Sequence, residues 1–429
     1  MTNHNMRAAG EISIPGRFGR VRRLPDESAA PTLPQSGVQT MEREQASSFV
    51  QELLRVMLAR KASDLFFNAG FPPAVKIDGR LTPLSDKPLS PEYTSTIVRA
   101  IMNDRQLADF EATKESNFAI SPSGIGRFRV NAFIQRGDVG VVIRSISTSV
   151  PRLADLGTPK VLSEVAMMKR GLVLIVGATG SGKSTTLAAM VDLRNATGED
   201  HIITIEDPIE YLYENKRSMV SQREVGADTE SWAAALKNTL RQAPDVIVIG
   251  EIRDRETMEH AIAFSETGHL CLATLHSNNA NQALDRIINF FPDDRRKQLL
   301  LDLSLNLAAL ISQRLIPLKE GKGRVAAVEV LLRSALVQDL IRDGKIPELR
   351  ELMKRSRETG VQTFDQSLFD LYEAGRIDED EALRYADSVN DLRLLIKYQS
   401  VHAHAPAPGS EGGGMSIEPG PGAPGRYSR

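Results

Sequence analysis

The sequence predicts an α/β protein: an N-terminal α+β domain, then a larger domain with a parallel sheet and a helical C-terminal extension, between disordered tails. Three observations predict this. Past residue 165, near-continuous apolar runs (GLVLIVG, HIITIED, DVIVIG, HLCLATL) alternate with helix-length segments, the pattern of parallel strands buried on both faces. Between about 41 and 148, short runs that alternate polar and apolar residues are mixed with stretches of helical periodicity. At both ends, Gly, Pro and Ser displace large apolar residues.

In chain order, residues 1–40 read as a disordered arm. The N-terminal domain, 41–148, opens with EQASSFVQELLRVMLARK, where Phe49, Leu53, Met57 and Leu58 recur at helical spacing. DLFFN and AVKIDGRLTPL follow as strands, then one helix around EYTSTIVRAIMNDRQLADFEA. RFRVNAFIQ alternates polar and apolar residues, and QRGDVG after it reads as a hairpin turn. Residues 149–164, with Pro151 and Pro159, predict a short, partly ordered linker. The second domain spans 165–398. After 290 it turns helical: DDRRKQLLLDLSLNLAALISQRL, SALVQDLIRD, PELRELMKRSRE, TFDQSLFDLYEAG and DEDEALRYADS all show helical periodicity, with RVAAVEVLL a last strand. Residues 399–429 form a Pro/Gly-rich tail, in which His402 and His404 read as solvated rather than metal-binding.

Composition narrows the function. The chain has 429 residues and a net charge of −2, so bulk electrostatics make no case for a nucleic-acid binder, and no nucleic-acid partner is expected. A single cysteine, Cys271, excludes an intramolecular disulfide and any zinc site built from several cysteines. No apolar run reaches the roughly 18 residues of a membrane span, and the N-terminal stretch lacks the apolar core of a signal peptide. A cytoplasmic location is expected.

The strongest motif is GLVLIVGATGSGKSTTLAAM. It places Gly177, Gly182, Lys183 and Ser184 in the spacing G-x-x-x-x-G-K-[ST], after an apolar strand and before a helix, the context of a phosphate-binding loop. Backbone N–H groups of such a turn and the helix N-terminus wrap phosphates. Gly177, Gly180 and Gly182 allow close approach, Thr179, Ser181 and Thr185 complete the loop, Lys183 reaches the β- and γ-phosphates, and Ser184 ligates Mg²⁺. ATP and Mg²⁺ are the expected ligands.

Hydrolysis also needs acids. HIITIEDPIEY places Glu206 and Asp207 past a strand, with Glu210 close behind, and PDVIVIGEIRD places Glu251 past another. Acids at the carboxyl ends of parallel strands lie at the ligand crevice. One of the two glutamates would position or deprotonate water and the other would hold Mg²⁺ through water; the order is open, and Asp207 also reads as a cap of the turn at Pro208. Arg253 and Asp254 are explained equally well by a salt-bridged helix start. In TGHLCLATLHSN, His276 falls at the phosphate end of a strand and His269 before its start. One strand cannot bring both to one end, so they do not form a metal site; from chemistry alone each also reads as a structural histidine. Positive charge at the γ-phosphate is often supplied by an arginine in trans. The candidates are Arg127, Arg129, Arg136 and Arg144 in the first domain and Arg223 and Arg241 in the second, each equally readable as a surface arginine.

Taken in order, GATGSGKSTT, TIEDPIEY, QREVG, DVIVIGEIRD and TGHLCLATLHSN resemble the Walker A, Asp box, Walker B and His box of secretion-type ATPases. Within these, the chain from about 45 to 398 is similar to the type IV pilus retraction ATPases, the PilT/PilU family, with ASDLFFNAGFPPAVKIDG, GRFRVNAF and GRVAAVEVL adding to the match. The resemblance implies a PAS-like N-terminal domain and a RecA-like ATPase domain. It implies a homo-hexameric motor whose nucleotide sits between the two domains and touches a neighbouring subunit. The motor would act at the cytoplasmic face of the inner membrane on the pilus platform protein. It also implies that Glu206 and Glu251 are the catalytic and Mg²⁺-side acids and that His269 and His276 are functional. The extension ATPases carry four cysteines, and one here argues against them. ALVQDLIRDGK stands where PilT proteins have AIRNLIRE, and the stretch from MKRSRETG to LRLLI is more similar to PilU, which implies an accessory motor working with a PilT-like ATPase. The alternatives are a nucleic-acid translocase on a RecA-like core, or a slow ATPase scaffold supporting a PilT motor.

Overall fold

The computed structural model describes residues 43–401, apart from 78, 147 and 148, together with residues 12–13 and 20–21. The last two pairs form a small antiparallel ribbon, β1 (Ile12–Ser13) with β2 (Arg20–Val21). The rest of the expected arm, the tail from 402 onward, and His402 and His404 lie outside the described residues.

The first unit runs α1 (Arg43–Ala59), β3 (Asp64–Asn68), β4 (Ala74–Ile77), β5 (Arg80–Pro83), α2 (Pro91–Ala100), α3 (Asp104–Thr113), β6 (Glu115–Ile120), β7 (Arg127–Gln135) and β8 (Asp138–Ile146). Its strands form one antiparallel sheet in the order β5-β4-β3-β8-β7-β6. Strand alternation sorts the side chains: Phe128, Val130 and Ala132 of β7 join the core, while Arg127 and Arg129 face outward. Phe49, Leu53 and Met57 of α1 pack into that core as expected; Leu58, one position off the buried stripe, is 39% exposed. The single helix expected over 92–112 is two. Asn103 is extended and forms a capping box with Gln106, which starts α3 afresh.

Residues 149–164 carry a 3₁₀ turn (Leu153–Leu156) and the start of α4 (Val161–Ala166), so the boundary expected at 165 falls inside a helix. Leu153, Leu162 and Val165 are buried in the core of the second sheet. There follow β9 (Gly171–Val176), α5 (Lys183–Thr197), β10 (His201–Glu206), β11 (Met219–Glu224), α6 (Trp232–Thr239), β12 (Val246–Ile249), α7 (Arg255–Glu266), β13 (Leu270–Leu275), α8 (Ala280–Asn289) and α9 (Asp293–Asn306). The chain continues with β14 (Leu307–Pro317), β15 (Arg324–Leu332), α10 (Ala335–Arg342), α11 (Glu348–Arg355), α12 (Phe364–Glu373), α13 (Glu379–Tyr385) and α14 (Val389–Gln399). The sheet order is β11-β10-β12-β13-β9-β14-β15, parallel throughout except for β15. Successive residues of β9 enter opposite cores: Leu172, Leu174 and Val176 on one face, Val173 and Ile175 on the other.

One expectation is overturned here. DDRRKQLLLDLSLNLAALISQRL is not one helix: α9 ends at Asn306, and Leu307–Pro317 is a strand. It lies between β9 and β15, and that two-sided pairing outweighs a local pattern rich in Leu and Ala. The edge strand β11 has a half-buried, polar pattern that carries no strong periodic signal. Helices α12 to α14 form a separate small core, in which Phe364, Leu368, Leu392 and Ile396 pack against Ile316, Val325 and Ala327 of the β14–β15 hairpin. Among the described residues no helix is long and apolar enough to cross a membrane.

Glu329 of β15 is buried under this sheet. Its Oε2 accepts from Ser312 Oγ at 2.8 Å and from the Ala280 backbone N–H, at the start of α8, at 2.7 Å. Burial pushes its pKa up from the ordinary 4.5 to about 7, against the pull of those two donors. The folded chain thus binds this proton more tightly than the unfolded chain. Stability is accordingly greatest below 4.5 for this group and falls as pH rises toward 7. Glu329→Gln keeps an acceptor in place and removes the buried charge. It is expected to flatten the pH dependence of the melting temperature between about pH 5 and pH 8 and to be more stable than wild type above pH 7, by on the order of 1–3 kcal/mol.

Candidate active site

Parallel pairing aligns the carboxyl ends of β9, β10, β12 and β13 along one edge. The loop 177–182 leaves β9 at that edge and enters α5. Two of its glycines are required sterically. A Cβ on Gly177 (φ +158°) would lie 2.3 Å from Ser181 Oγ and 2.6 Å from Gln313 O; one on Gly182 (φ +91°) would lie 2.7 Å from Gln313 Nε2. Gln313 of β14 thus buttresses the loop, and its Oε1 also accepts from Thr186 Oγ1 at 2.7 Å.

Lys183 is 7% exposed, and its Nζ donates to the carbonyls of Gly177 and Ala178, each at 2.9 Å. Burial lowers its pKa, while Glu251 and Glu210 pull it back up. Ser181 Oγ is buried with no hydrogen-bond partner in the structure, so the loop holds an unspent donor. Thr185 Oγ1 lies 2.9 Å from Tyr211 Oη.

A cleft of about 530 Å³ opens in front of the loop. Thr179, Gly180, Gly182, Lys183, Ser184 and Thr185 line it, together with Glu206, Asp207, Glu210, Glu251 and His276. Glu206 Oε1 accepts from Thr204 Oγ1 at 2.7 Å and Gln222 Nε2 at 3.2 Å. Burial raises its pKa despite these donors. Glu251 meets Arg253 Nε at 2.9 Å and His276 Nε2 at 3.2 Å through its two oxygens. His276 Nδ1 is 3.5 Å from Lys183 Nζ. Burial and the Lys183 charge lower the His276 pKa, which favours a neutral ring bridging lysine and glutamate. Arg253 also reaches Asp207 at 3.3 Å, while Asp254 forms the capping box of α7 with Thr257.

His269 is the exception among the expected catalytic residues. It precedes β13 at the opposite edge of the sheet; its Nδ1 lies 3.0 Å from Thr267 Oγ1 and 3.2 Å from Phe264 O. A six-residue strand separates it from the cleft by roughly 20 Å. This is the separation that the sequence order required, and it leaves His269 off the cleft that holds the other candidate catalytic residues.

The arginine candidates also lie off the cleft of their own chain. Arg127 Nη2 donates to Glu224 Oε2 at 2.9 Å, a nearly buried ion pair that ties β7 of the first unit to β11 of the second. Glu224 Oε2 also accepts from Ile209 N at 3.2 Å, on the loop after Glu206. Arg129 and Arg144 are register partners on β7 and β8, and Arg144 Nε pairs with buried Asp64 at 2.7 Å. Arg136 sits in the hairpin turn; Arg223 donates to Asp228 O at 3.2 Å; Arg241 is exposed.

Sequence reasoning missed Tyr211, Tyr213, Trp232, Leu315 and Arg324, which also line the cleft. None has a spacing relation to the loop. Among the described residues no group of three or more His, Cys, Asp or Glu could hold a metal. Ser184 and Glu251 at one cleft do suit Mg²⁺, which keeps most of its ligands as water and substrate oxygen.

The family described as "Type II/IV secretion system protein" matches residues 39–384. The chain is 59% identical over 350 residues to the "Type IV pilus ATPase PilU" of Pseudomonas aeruginosa, spanning 82% of this chain and 92% of that protein. It is 41% identical over 333 residues to the "Type IV pilus retractation ATPase PilT" of the same organism, spanning 78% of this chain and 96% of that protein. Among solved structures, a crystal structure of the pilus retraction motor PilT with bound ADP superposes with a TM-score of 0.76 at 42% identity, covering 80% of this chain and 99% of that one.

Because burial of the Lys183 charge offsets what its carbonyl, His276 and carboxylate neighbours give, Lys183→Ala is expected to leave the melting temperature of the nucleotide-free protein within about 3 °C of wild type. It should abolish the rise in melting temperature that saturating Mg²⁺–nucleotide gives wild type, about 2.7 kcal/mol of stabilisation at a hundred times Kd. Differential scanning fluorimetry with and without nucleotide checks both.

Proposed function

The chain belongs to the type II/IV secretion system protein family, in its PilT/PilU group of type IV pilus ATPases, and from that premise we propose that it is a hexameric ATPase motor of pilus retraction and twitching motility, acting as a PilU-like accessory to a PilT-like ATPase. The observation that carries the ATPase reading is the convergence of Lys183, Ser184, Glu206, Glu251 and His276 on one cleft. The accessory role rests on the higher identity to PilU than to PilT.

The residues divide the chemistry as follows. Backbone N–H groups of 177–184, Ser181 Oγ and Lys183 Nζ bind the phosphates; Lys183 exchanges its two carbonyl partners for phosphate oxygens. Ser184 and Glu251 would hold Mg²⁺, the latter through water, and the ion when bound neutralises phosphate charge. Glu206, whose burial strengthens its hold on a proton, takes the proton from the attacking water. His276 bridges Lys183 and Glu251 and responds to the charge arriving between them. Arg127, Arg129, Arg144, Arg223 and Arg241 do not line their own chain's cleft. They are the candidates to supply positive charge across a subunit boundary in a ring, whose head-to-tail interfaces place one subunit's surface against the next subunit's site. The ring would work at the cytoplasmic side of the inner membrane against the pilus platform protein.

Three measurements test this. Purified protein should hydrolyse ATP, and Glu206→Gln should lower kcat roughly 10²–10⁴-fold while nucleotide still binds. Absence of turnover in wild type, or near-wild-type turnover in Glu206→Gln, overturns the assignment. The acid limb of kcat/KM should lie above the pH of an ordinary glutamate, in the direction of the Glu206 shift. For the accessory role, a piliated host lacking this chain should retract more weakly under load and regain strength with wild type but not with Lys183→Ala. Unchanged retraction in the deleted host refutes it.

A further inference from the structure

The loop that carries His276 is pinned from outside the cleft. It runs from the end of β13 to the start of α8, and four contacts hold it. Arg286 Nη1 donates to His276 O at 2.8 Å. Arg314 Nη2 donates to Asn278 O at 3.2 Å. Asn279 Nδ2 donates to Asp387 Oδ2 at 3.2 Å, and Ala280 N donates to Glu329 at 2.7 Å. The second and third contacts share one anchor, because Arg314 Nη2 also donates to Asp387 Oδ1 at 2.5 Å. Asp387 therefore spends one oxygen on the strand and the other on the loop.

Asp387 does not belong to the sheet. It sits between α13 and α14, in the small C-terminal core that packs on the β14–β15 hairpin. Its own backbone N–H donates to Asp365 Oδ1 of α12 at 2.8 Å, and Asp365 is in turn paired with Arg350 of α11 at 2.7 Å. Arg314 is fixed by the same segment: Nη1 donates to Tyr385 O at 2.6 Å, and its guanidinium lies 3.9 Å from the ring centre of Phe364. The Arg314 and Asp387 side chains are 21% and 13% exposed, so water competes weakly for this pair. A continuous hydrogen-bonded path thus runs from α11 and α12 through Asp387 and Arg314 to the loop of His276, and from His276 to Lys183.

We propose that Asp387 and Arg314 are positioning residues for His276, so that hydrolysis depends on how the C-terminal helices are seated on the β14–β15 hairpin. Neither touches the cleft acids; Arg314 acts on the loop through the Asn278 carbonyl and Asp387 through the Asn279 side chain. Any event that shifts α12 to α14 then changes the geometry at Lys183 without entering the cleft. The ATP-dependent part of this proposal rests on the ATPase reading above, whereas the loop-ordering part does not.

The test uses the full chain and four variants, Asp387→Ala, Asp387→Asn, His276→Ala and the double variant Asp387→Ala/His276→Ala. In nucleotide-free protein, hydrogen–deuterium exchange of the amides of 277–280 should speed up in Asp387→Ala, while that of β9 and α5 stays at the wild-type rate. With ATP, kcat should fall roughly ten- to a hundredfold, the scale of a misplaced catalytic group, while KM changes less than about threefold. Asp387→Asn, which keeps the shape and an acceptor, should recover most of the loss if Asp387→Ala folds poorly. The double variant Asp387→Ala/His276→Ala should be no slower than His276→Ala alone, because both act through one group. Unchanged loop exchange in Asp387→Ala overturns the proposal, as do fully additive losses in the double variant. If wild type hydrolyses no ATP, the function fails by itself, and loop exchange still decides whether Asp387 orders the loop of His276.

Discussion

The structure depends on the parallel pairing of β9 with β13 on one side and β14 on the other. Val176, the last residue of β9, is in register with Leu275 and with Ser312. The chain therefore leaves β9 into the phosphate-binding loop, leaves β13 into His276, and passes Gln313 of β14 under Gly177 and Gly182, all at one edge. No hydrogen bond within the loop could enforce this. A one-residue slip of β14 would turn Gln313 to the other face and put Ser312 or Arg314 in its place against the glycines.

On that edge the charges share a low-dielectric space, and each sets the state of its neighbours. Burial lowers the pKa of Lys183, and Glu251 and Glu210 oppose that shift. His276 is pushed toward the neutral form by burial and by that same lysine. Glu206 is held by Thr204 and Gln222, and burial dominates it. Two carboxylates of similar sequence context thus acquire different environments, which is the usual way a site divides an acid–base role from a cation-holding role. Arg127–Glu224 extends the arrangement outward: the first unit holds a residue that also fixes the loop after Glu206. Movement of one unit on the other must break or carry that ion pair.

Much of this was legible in the sequence where the local signal and the tertiary environment agree. β9, β10, β12 and β13 are buried on both faces, so they read as uninterrupted apolar runs, and the G-x-x-x-x-G-K-S spacing between the first of these and a helix left little freedom. The reading failed where pairing overrode local pattern. Leu307–Pro317 keeps leucines at helical spacing yet is a strand, because both of its edges are occupied. Asn103 with Gln106 is a capping box that divides a helix, inside a stretch whose periodicity runs on across it. β11 is half polar because it lies at the sheet edge, so alternation could not reveal it.

By itself the sequence determined the phosphate-binding loop, the two strand-end glutamates and the separation of His269 from His276, because each follows from spacing along one strand or one turn. Only the tertiary structure decided what surrounds them. Tyr211, Trp232 and Arg324 come to the cleft from separate elements, Gln313 reaches the loop across a strand pair, and Asp387 meets the loop of His276 from 108 positions away along the chain. Such contacts carry no periodicity, since they arise from the packing of elements whose order in space differs from their order in the chain.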